Sequence, residues 1–249
     1  MRNFELIRCL VVIPTYNEVS TVPILIKSLL EATPDTNILI VDDGSPDGTG
    51  ELCDEIANRD SRVEVLHRHE KQGLGAAYLA GFSWGLNRGY SHIAEMDADG
   101  SHRPADFIRM LECLEINPNI DLIIGSRWME GGGVEKWTPV RKFLSLGANK
   151  YARIILRSSI RDLTAGFRIY RTSLLNDINL SQVESQGYCF QIEMALKSAE
   201  LGATIVEIPI IFLDRAYGVS KMSMRIVFEA MFRVTVWGLF NRIKLIRRD

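Results

Sequence analysis

Two aspartates one residue apart, Asp97-Ala98-Asp99, directly follow an apolar run at 93–96. A short apolar run of this kind predicts a buried strand, and residues just past a strand end are the ones an α/β protein uses to meet ligands. Hard cations such as Mg²⁺ and Mn²⁺ take carboxylate oxygens and often bridge protein to phosphate, so the pair could share a cation with a diphosphate. An isolated Asp-x-Asp is also an ordinary turn or helix-cap pattern. Two earlier strand ends add weight to the site reading. Val11-Val12-Ile13 runs into Pro14-Thr15-Tyr16-Asn17-Glu18, and the apolar stretch 38–41 runs into Asp42-Asp43-Gly44-Ser45. Three strands that deliver carboxylates to one edge describe a site.

The elements that must position these groups follow from the hydropathy pattern. Strand-like runs at 9–13, 38–42, 62–66, 92–97, 121–125 and 204–211 alternate with helical patterns near 20–32, 48–58, 73–87, 104–116 and 189–201. That alternation predicts an α/β fold with a mostly parallel sheet, Rossmann-like, with helices on both faces. Pro14 is expected to end the first strand's ladder and turn the chain outward. Ser45-Pro46-Asp47-Gly48 reads as a turn before the second helix, whereas Asp42 could serve either the turn or the site. Glu130-Gly131-Gly132-Gly133 is expected to be a mobile loop beside the site.

Two segments combine apolar and basic residues at helical spacing. In 143–157, residues 143, 146, 147, 151, 154 and 155 are apolar or small, and Arg141 and Lys142 just before it, with Lys150, Arg153 and Arg157 within it, supply a basic complement. In 224–246, Phe228, Met231, Phe232, Trp237, Leu239, Phe240 and Ile243 accompany Arg233, Arg242 and Lys244, with Arg247 and Arg248 following. Such helices either cover a core or rest on anionic headgroups. The domain reading is accordingly a catalytic unit over 1–221 and an amphipathic, membrane-interfacial helix over 222–249.

The 249 residues and formal net charge of −2 fit one large globular domain or two small ones and argue against bulk nucleic-acid binding. Cys9, Cys53, Cys113 and Cys189 have no short pair spacing, so neither a zinc site nor a disulfide framework is expected. A reducing cytoplasm is the simpler reading. Arg2, Glu5 and Arg8 interrupt the N-terminal stretch, which does not read as a secretory signal. No run reaches the roughly 18–20 apolar residues of a membrane span.

Pro14-Thr15-Tyr16-Asn17-Glu18, Asp42-Asp43-Gly44-Ser45-Pro46-Asp47-Gly48-Thr49, Asp97-Ala98-Asp99, Gly125-Ser126-Arg127 and Arg215-Ala216-Tyr217-Gly218-Val219-Ser220-Lys221 occur in the order found in family-2 glycosyltransferases of the polyprenol-phosphate (dolichol-phosphate) mannose synthase group. The chain resembles that group from residue 9 to about 223. The resemblance implies a GT-A fold and transfer of mannose from GDP-mannose to a polyprenol or dolichol phosphate, with Mg²⁺ or Mn²⁺, at the cytoplasmic face of a membrane. A membrane-embedded partner protein is compatible with it.

Carried over residue by residue, the resemblance places Pro14, Tyr16, Glu18, Asp43, Asp97, Ala98 and Asp99 at the donor. Asp99 is then the direct metal ligand and Asp97 a second contact to metal or sugar. Some relatives carry Gln two positions after the second Asp. Ser101 stands there in this chain, as a weak or water-mediated ligand, and His102 is read as a helix-start residue. Arg127, Arg141, Ser145, Arg215 and Lys221 are assigned to the acceptor phosphate, since arginine's planar fork matches phosphate oxygens. Asp97, Asp99, Arg127 and Arg215 are the expected catalytic set. Arg168 could join the arginines or pair with Asp162, and Glu193 either shapes the sugar pocket or sits on a helix surface. The alternatives are transfer of glucose or another sugar to the same lipid, or a non-catalytic nucleotide-sugar-binding subunit. A nicotinamide dehydrogenase fits less well, because Gly73-Leu74-Gly75 lacks the setting of a dinucleotide fingerprint.

Overall fold

The computed structural model describes residues 7–185, 187–214 and 230–239, with only the backbone of Tyr188. In chain order the strands are β1 (Cys9–Thr15), β2 (Asn37–Asp42), β3 (Val63–His67), β4 (His92–Glu95), β5 (Leu122–Ser126), β6 (Gly133–Val134), β7 (Arg168–Arg171), β8 (Ile205–Pro209) and β9 (Ile211–Phe212). The helices are α1 (Val22–Ala32), α2 (Thr49–Ala57), α3 (Leu74–Leu86), α4 (Pro104–Ile116), α5 (Pro139–Leu156), α6 (Thr172–Asp177) and α7 (Tyr188–Glu200), followed by α8 at 230–239.

Seven strands form one sheet in the order β3-β2-β1-β4-β7-β5-β8, and β6 pairs with β9 beside it. Within the large sheet β7 alone runs against its neighbours, so the mostly parallel arrangement read from the sequence is the one observed. The strand order reverses at β1, with β2 and β3 on one side and β4 on the other. That reversal opens a crevice beyond the carboxyl ends of β1 and β4.

Alternate residues of β1 and β2 divide the core between the two faces. Leu10, Val12, Leu39 and Val41 pack on one side with Tyr78 and Phe82 of α3. Val11, Ile13, Ile38 and Ile40 pack on the other with Leu25, Ile26 and Leu29 of α1 and Phe107 and Met110 of α4. α3 lies close to the sheet because it turns glycines toward it: a Cβ on Gly81 would stand 2.3 Å from Val12 Cγ1, and one on Gly85 2.8 Å from Leu10 Cδ2. Prolines in the first turns of α1, α4 and α5 set those helix starts. Thr138 caps α5 by accepting from the Arg141 amide.

Two expectations need correcting. Pro14 does not end β1, because pairing with β2 continues through Thr15↔Asp42; only the β4 side stops earlier, at Val12↔Glu95. The stretch 130–133 is held rather than loose. The Gly132 amide donates to Met129 O, the Gly133 amide donates to Ile210 O, and Gly133 opens β6. Gly132 is needed there because a Cβ would fall 2.6 Å from Ser126 O.

α5 is inverted relative to an ordinary core helix. Its buried positions are Ser145, Asn149, Ala152 and Leu156, while Val140, Phe143 and Ile154 are exposed by 69%, 77% and 62%. α8 packs against it, with Tyr151 Oη 2.6 Å from Thr235 Oγ1 and Gly238 against Ile155. Val234 and Trp237 of α8 join the core, and Phe232 is 70% exposed.

Candidate functional site

The crevice at the strand reversal is an open cleft of ≈ 670 Å³. Every residue assigned from sequence to the donor lines it: Pro14 at the end of β1, Tyr16 and Glu18 just past it, Asp43 after β2, and Asp97, Ala98 and Asp99 after β4. The topology therefore brings together three chain segments spread over more than eighty positions.

The two aspartates are held differently. Tyr78 of α3 donates its hydroxyl hydrogen to Asp97 Oδ1 at 3.1 Å, and burial with the nearby carboxylates pushes the Tyr78 phenol well above its ordinary pKa, so it stays a donor. Asp99 Oδ1 accepts the Ser101 amide at 3.0 Å in the turn before α4. Ser101 is fully buried, and its Oγ has no hydrogen-bond partner among the described residues. No group of three His, Cys, Asp or Glu able to hold a metal occurs among those residues. Two carboxylates facing an open cleft, with a buried hydroxyl in the turn behind them, suit a hard cation that completes its shell with ligand oxygens.

His102 has a role the sequence reading missed. It precedes α4, as a helix-start residue would, but it is buried, stacks on Phe167 at 4.6 Å, and through Nδ1 accepts the Asp97 amide at 3.2 Å. Burial pushes its imidazole down to about 4, so the ring is neutral and can accept.

Beside the end of β2, Arg68 donates to Asp43 Oδ1 at 2.7 Å. Burial pushes the Asp43 carboxyl up, against the pull of Arg68. Lys71 Nζ lies 3.8 Å from the Tyr16 ring centroid, and Lys71, Gly73, Leu74 and Ala77 complete the lining. These residues were also missed, although a signal existed: in a parallel sheet the loop after β3 must emerge on the same edge as those after β1 and β2. The turn reading of the second motif is the observed one. Asp47 accepts from the Thr49 amide and hydroxyl, and Asp42 is engaged by Thr15 and Ser45, which places Asp42 in the scaffold.

The residues assigned to the acceptor meet only in part. Arg127 gives Nε and Nη2 to Asp162, both at 2.7 Å, and Nη2 also donates to Thr164. Burial alone would raise the Asp162 carboxyl, but Arg127 outweighs it and holds the carboxyl below its ordinary range. Of the two arginines, Arg127 is therefore the hydrogen-bonded partner of Asp162, and the alternative that Arg168 pairs with it is not the arrangement observed. Arg168 is fully buried and donates to the carbonyls of Leu163, Ala165 and Gln191 and to Tyr170 Oη. Arg141 donates to Asp214 at 2.7 Å and lies 3.9 Å over Trp137, a ring that also faces Arg127. Ser145 sits on the buried face of α5. Arg215 and Lys221 lie outside the described residues. Glu193 accepts the Ser185 amide and pairs with Lys197, which makes it a brace of α7.

Phe212 links the two halves. It packs edge-on to His102 at 5.4 Å and to Trp137 at 5.6 Å, so the aromatic ring set around Arg127 and Arg141 abuts the Asp97–Asp99 turn.

Residues 10–178 match the family described as Glycosyl transferase family 2. The chain is 52% identical over 237 residues to the polyprenol monophosphomannose synthase of Mycolicibacterium smegmatis, covering 95% of this chain and 89% of the relative. It is 49% identical over 235 residues to the undecaprenyl-phosphate mannosyltransferase of Micrococcus luteus, covering 94% and 96%. Among solved structures, it resembles glucosyl-3-phosphoglycerate synthase from Mycobacterium tuberculosis in complex with Mn²⁺, UDP and phosphoglyceric acid, with a TM-score of 0.64, 18% identity, and 94% and 78% of the two chains covered. A mannosyltransferase from Pyrobaculum calidifontis in complex with GDP-Man and Mn²⁺ superposes with a TM-score of 0.59 at 14% identity, covering 95% and 64%. The structural likeness establishes the fold, which is of the GT-A type. With a sheet reversal that carries these strand-end carboxylates and a family match over most of its length, the chain belongs to glycosyltransferase family 2.

Proposed function

We propose that the protein transfers mannose from GDP-mannose to a polyprenyl phosphate with inversion at the sugar's C1. The observation that carries this reading is the meeting of Tyr16, Glu18, Asp43, Asp97 and Asp99 in one cleft. The names of two relatives aligned over nearly their whole length support the acceptor class.

Tyr16 offers a ring face and Glu18 and Asp43 offer carboxylates to a nucleobase and ribose, and guanine's N1–H and N2 amine are suited to donate to such oxygens. Lys71 brings positive charge to the same mouth for the diphosphate. Asp97 and Asp99, with Ser101 behind them, are the residues that would hold Mg²⁺ or Mn²⁺. A cation bound there neutralises charge on the departing nucleotide. Tyr78 and the Ser101 amide fix the two carboxylates in place.

A phosphate monoester with a second pKa of about 6 is mostly dianionic at neutral pH and attacks without a general base. The protein's task is then to hold two anions together and align the acceptor with C1. Arg141 and Ser145 serve the acceptor side, with Arg215 and Lys221 assigned by family resemblance and Arg127 anchoring the wall. The apolar outward face of α5 and Phe232 of α8 would seat the molecule peripherally on the cytoplasmic face of a membrane, where a polyprenyl phosphate presents its headgroup. Among the described residues no helix is long and apolar enough to cross a membrane.

The test is incubation of purified protein with Mn²⁺, a short polyprenyl phosphate and either radiolabelled GDP-mannose or radiolabelled UDP-glucose, followed by counting of the lipid phase. Label from GDP-mannose is the expected result. Label from UDP-glucose alone overturns the mannose assignment.

A further inference from the structure

Beneath the Asp97 turn lies a buried polar pair that none of the roles above uses. Glu95, the last residue of β4, is fully buried, and Gln191 of α7 is 3% exposed. Gln191 Nε2 donates to Glu95 Oε2 at 2.7 Å. The amide's other atom, Oε1, has no hydrogen-bond partner among the described residues, whereas the Glu95 carboxyl is also hydrogen-bonded with the Tyr170 hydroxyl. Native proteins leave few buried acceptors unpaired, because each forfeits its hydration without replacement.

The place of Gln191 is fixed from two further directions. Arg168, which stands opposite Glu95 in the β4–β7 register, donates to the main-chain carbonyl of Gln191 at 2.8 Å. Gly166, in the loop before β7, leaves open the space next to the amide. A Cβ there would have Gln191 Nε2 at 3.6 Å and Asp97 Oδ2 at 3.9 Å as its nearest neighbours. Its φ is not in the left-handed region, so what glycine supplies at this position is room rather than backbone freedom. Gly166 itself is partly exposed, so the room opens outward beside the carboxylate that faces the cleft.

We infer that Gln191 is a sugar-binding, specificity-determining residue of the donor site, positioned by Glu95, and that the gap at Gly166 receives a hydroxyl-bearing edge of the hexose between the Gln191 amide and Asp97. The assignment rests on the cleft being a nucleotide-sugar site. It goes beyond that reading by giving a residue of α7, nearly a hundred positions from the Asp97 turn, direct contact with the sugar. An amide whose Nε2 is anchored to the buried Glu95 side chain directs its second N–H as a fixed donor, which distinguishes hydroxyl configurations better than a mobile side chain does.

Calorimetric titrations with GDP, GDP-mannose and GDP-glucose in the presence of Mn²⁺ test this on wild type, Gln191→Leu and Gly166→Ala. Both variants should bind GDP within about twofold of wild type, while GDP-mannose affinity falls about tenfold, the scale of one lost hydrogen bond to a substrate hydroxyl. The preference for GDP-mannose over GDP-glucose should shrink with it. Gly166→Ala keeps the fold in question from deciding the outcome, because its added methyl makes only ordinary contacts. Unchanged GDP-mannose affinity in both variants, or an equal loss for GDP and both sugar nucleotides, overturns the inference and leaves Gln191 as a core brace. Wild-type protein that binds no guanine nucleotide overturns the underlying functional reading instead, and the sugar assignment with it.

Discussion

Asp99 and Arg127 show how differently two charged residues of one site can be used. Asp99 is 5% exposed and faces the cleft from a turn that its own carboxylate helps to close. Asp99→Asn keeps the shape and an acceptor for that turn but removes the charge a cation needs. Transfer to lipid should fall by about two orders of magnitude or more, as for loss of a charge-stabilising group, while the circular dichroism spectrum is retained. Near-normal rates in the presence of a chelator would dismiss the metal assignment. Arg127 is committed to Asp162, which is fully buried. Arg127→Ala strands that carboxylate and should cost about 3–5 kcal/mol of unfolding free energy in urea, with part of it recovered when Asp162→Asn is added. A loss below about 1 kcal/mol would return Arg127 to the substrate. The convergence of Tyr16, Glu18, Asp43, Asp97 and Asp99 on one cleft was legible because they sit at strand ends, a local property of sequence. The Arg127–Asp162 pairing was not, since choosing among several arginines and aspartates 35 or more positions apart depends on packing.

The strands and helices of the first half were readable because β1 and β2 are runs rich in Val, Ile and Leu bounded by turn residues, and β3 and β4 keep an apolar centre between theirs. β7 was missed for an opposite reason. Arg168-Ile169-Tyr170-Arg171 has charge at both ends, and Arg168 is buried only because three backbone carbonyls and a tyrosine hydroxyl receive it. The approach of α3 to β1 offers a test at this scale. Gly81→Ala should destabilise by about 1–3 kcal/mol, as overpacking does, and Val12→Ala in the same chain should relieve part of that loss; additive losses in thermal unfolding would refute the close contact. β4 carries a second test in His92, buried between Cys9 of β1 and Arg171 of β7, with Ser91 Oγ at its Nδ1. Burial, aided by Arg171, pushes its imidazole down to about 4. A depressed folded-state pKa means that the unfolded chain binds the proton first. His92 therefore contributes stability that is intact above about pH 6.5 and lost as pH falls toward 4, on the order of 3 kcal/mol in all. His92→Gln should flatten that part of the stability–pH curve, and an unchanged slope would refute the assignment.

At the scale of the whole molecule, the proposed acceptor side and the inverted helix α5 together predict one orientation on a membrane. Arg141 and Ser145, proposed for the acceptor side, belong to the helix whose outward face is Val140, Phe143 and Ile154, so under that proposal a lipid phosphate would arrive from a bilayer beneath α5. The sequence predicted two amphipathic helices, the second of which falls within the described residues only over 230–239, but not which of their apolar residues face out. Trp237 of α8 is largely buried against the core, whereas Phe232 is not. Replacing Trp237 would therefore disturb the fold, and the informative substitutions are Phe143→Glu, Ile154→Glu and Phe232→Glu together. Wild-type protein should sediment with vesicles rich in anionic lipid, through apolar burial plus about 1 kcal/mol for each well-placed Lys or Arg, and bind more weakly as salt rises. The triple variant should stay in the supernatant while binding GDP-mannose as before, and its transfer to a detergent-dispersed short polyprenyl phosphate should survive better than its transfer to the same acceptor in vesicles. Wild-type protein that remains soluble with such vesicles at low and high salt alike would refute direct docking and leave attachment to a membrane-embedded partner protein.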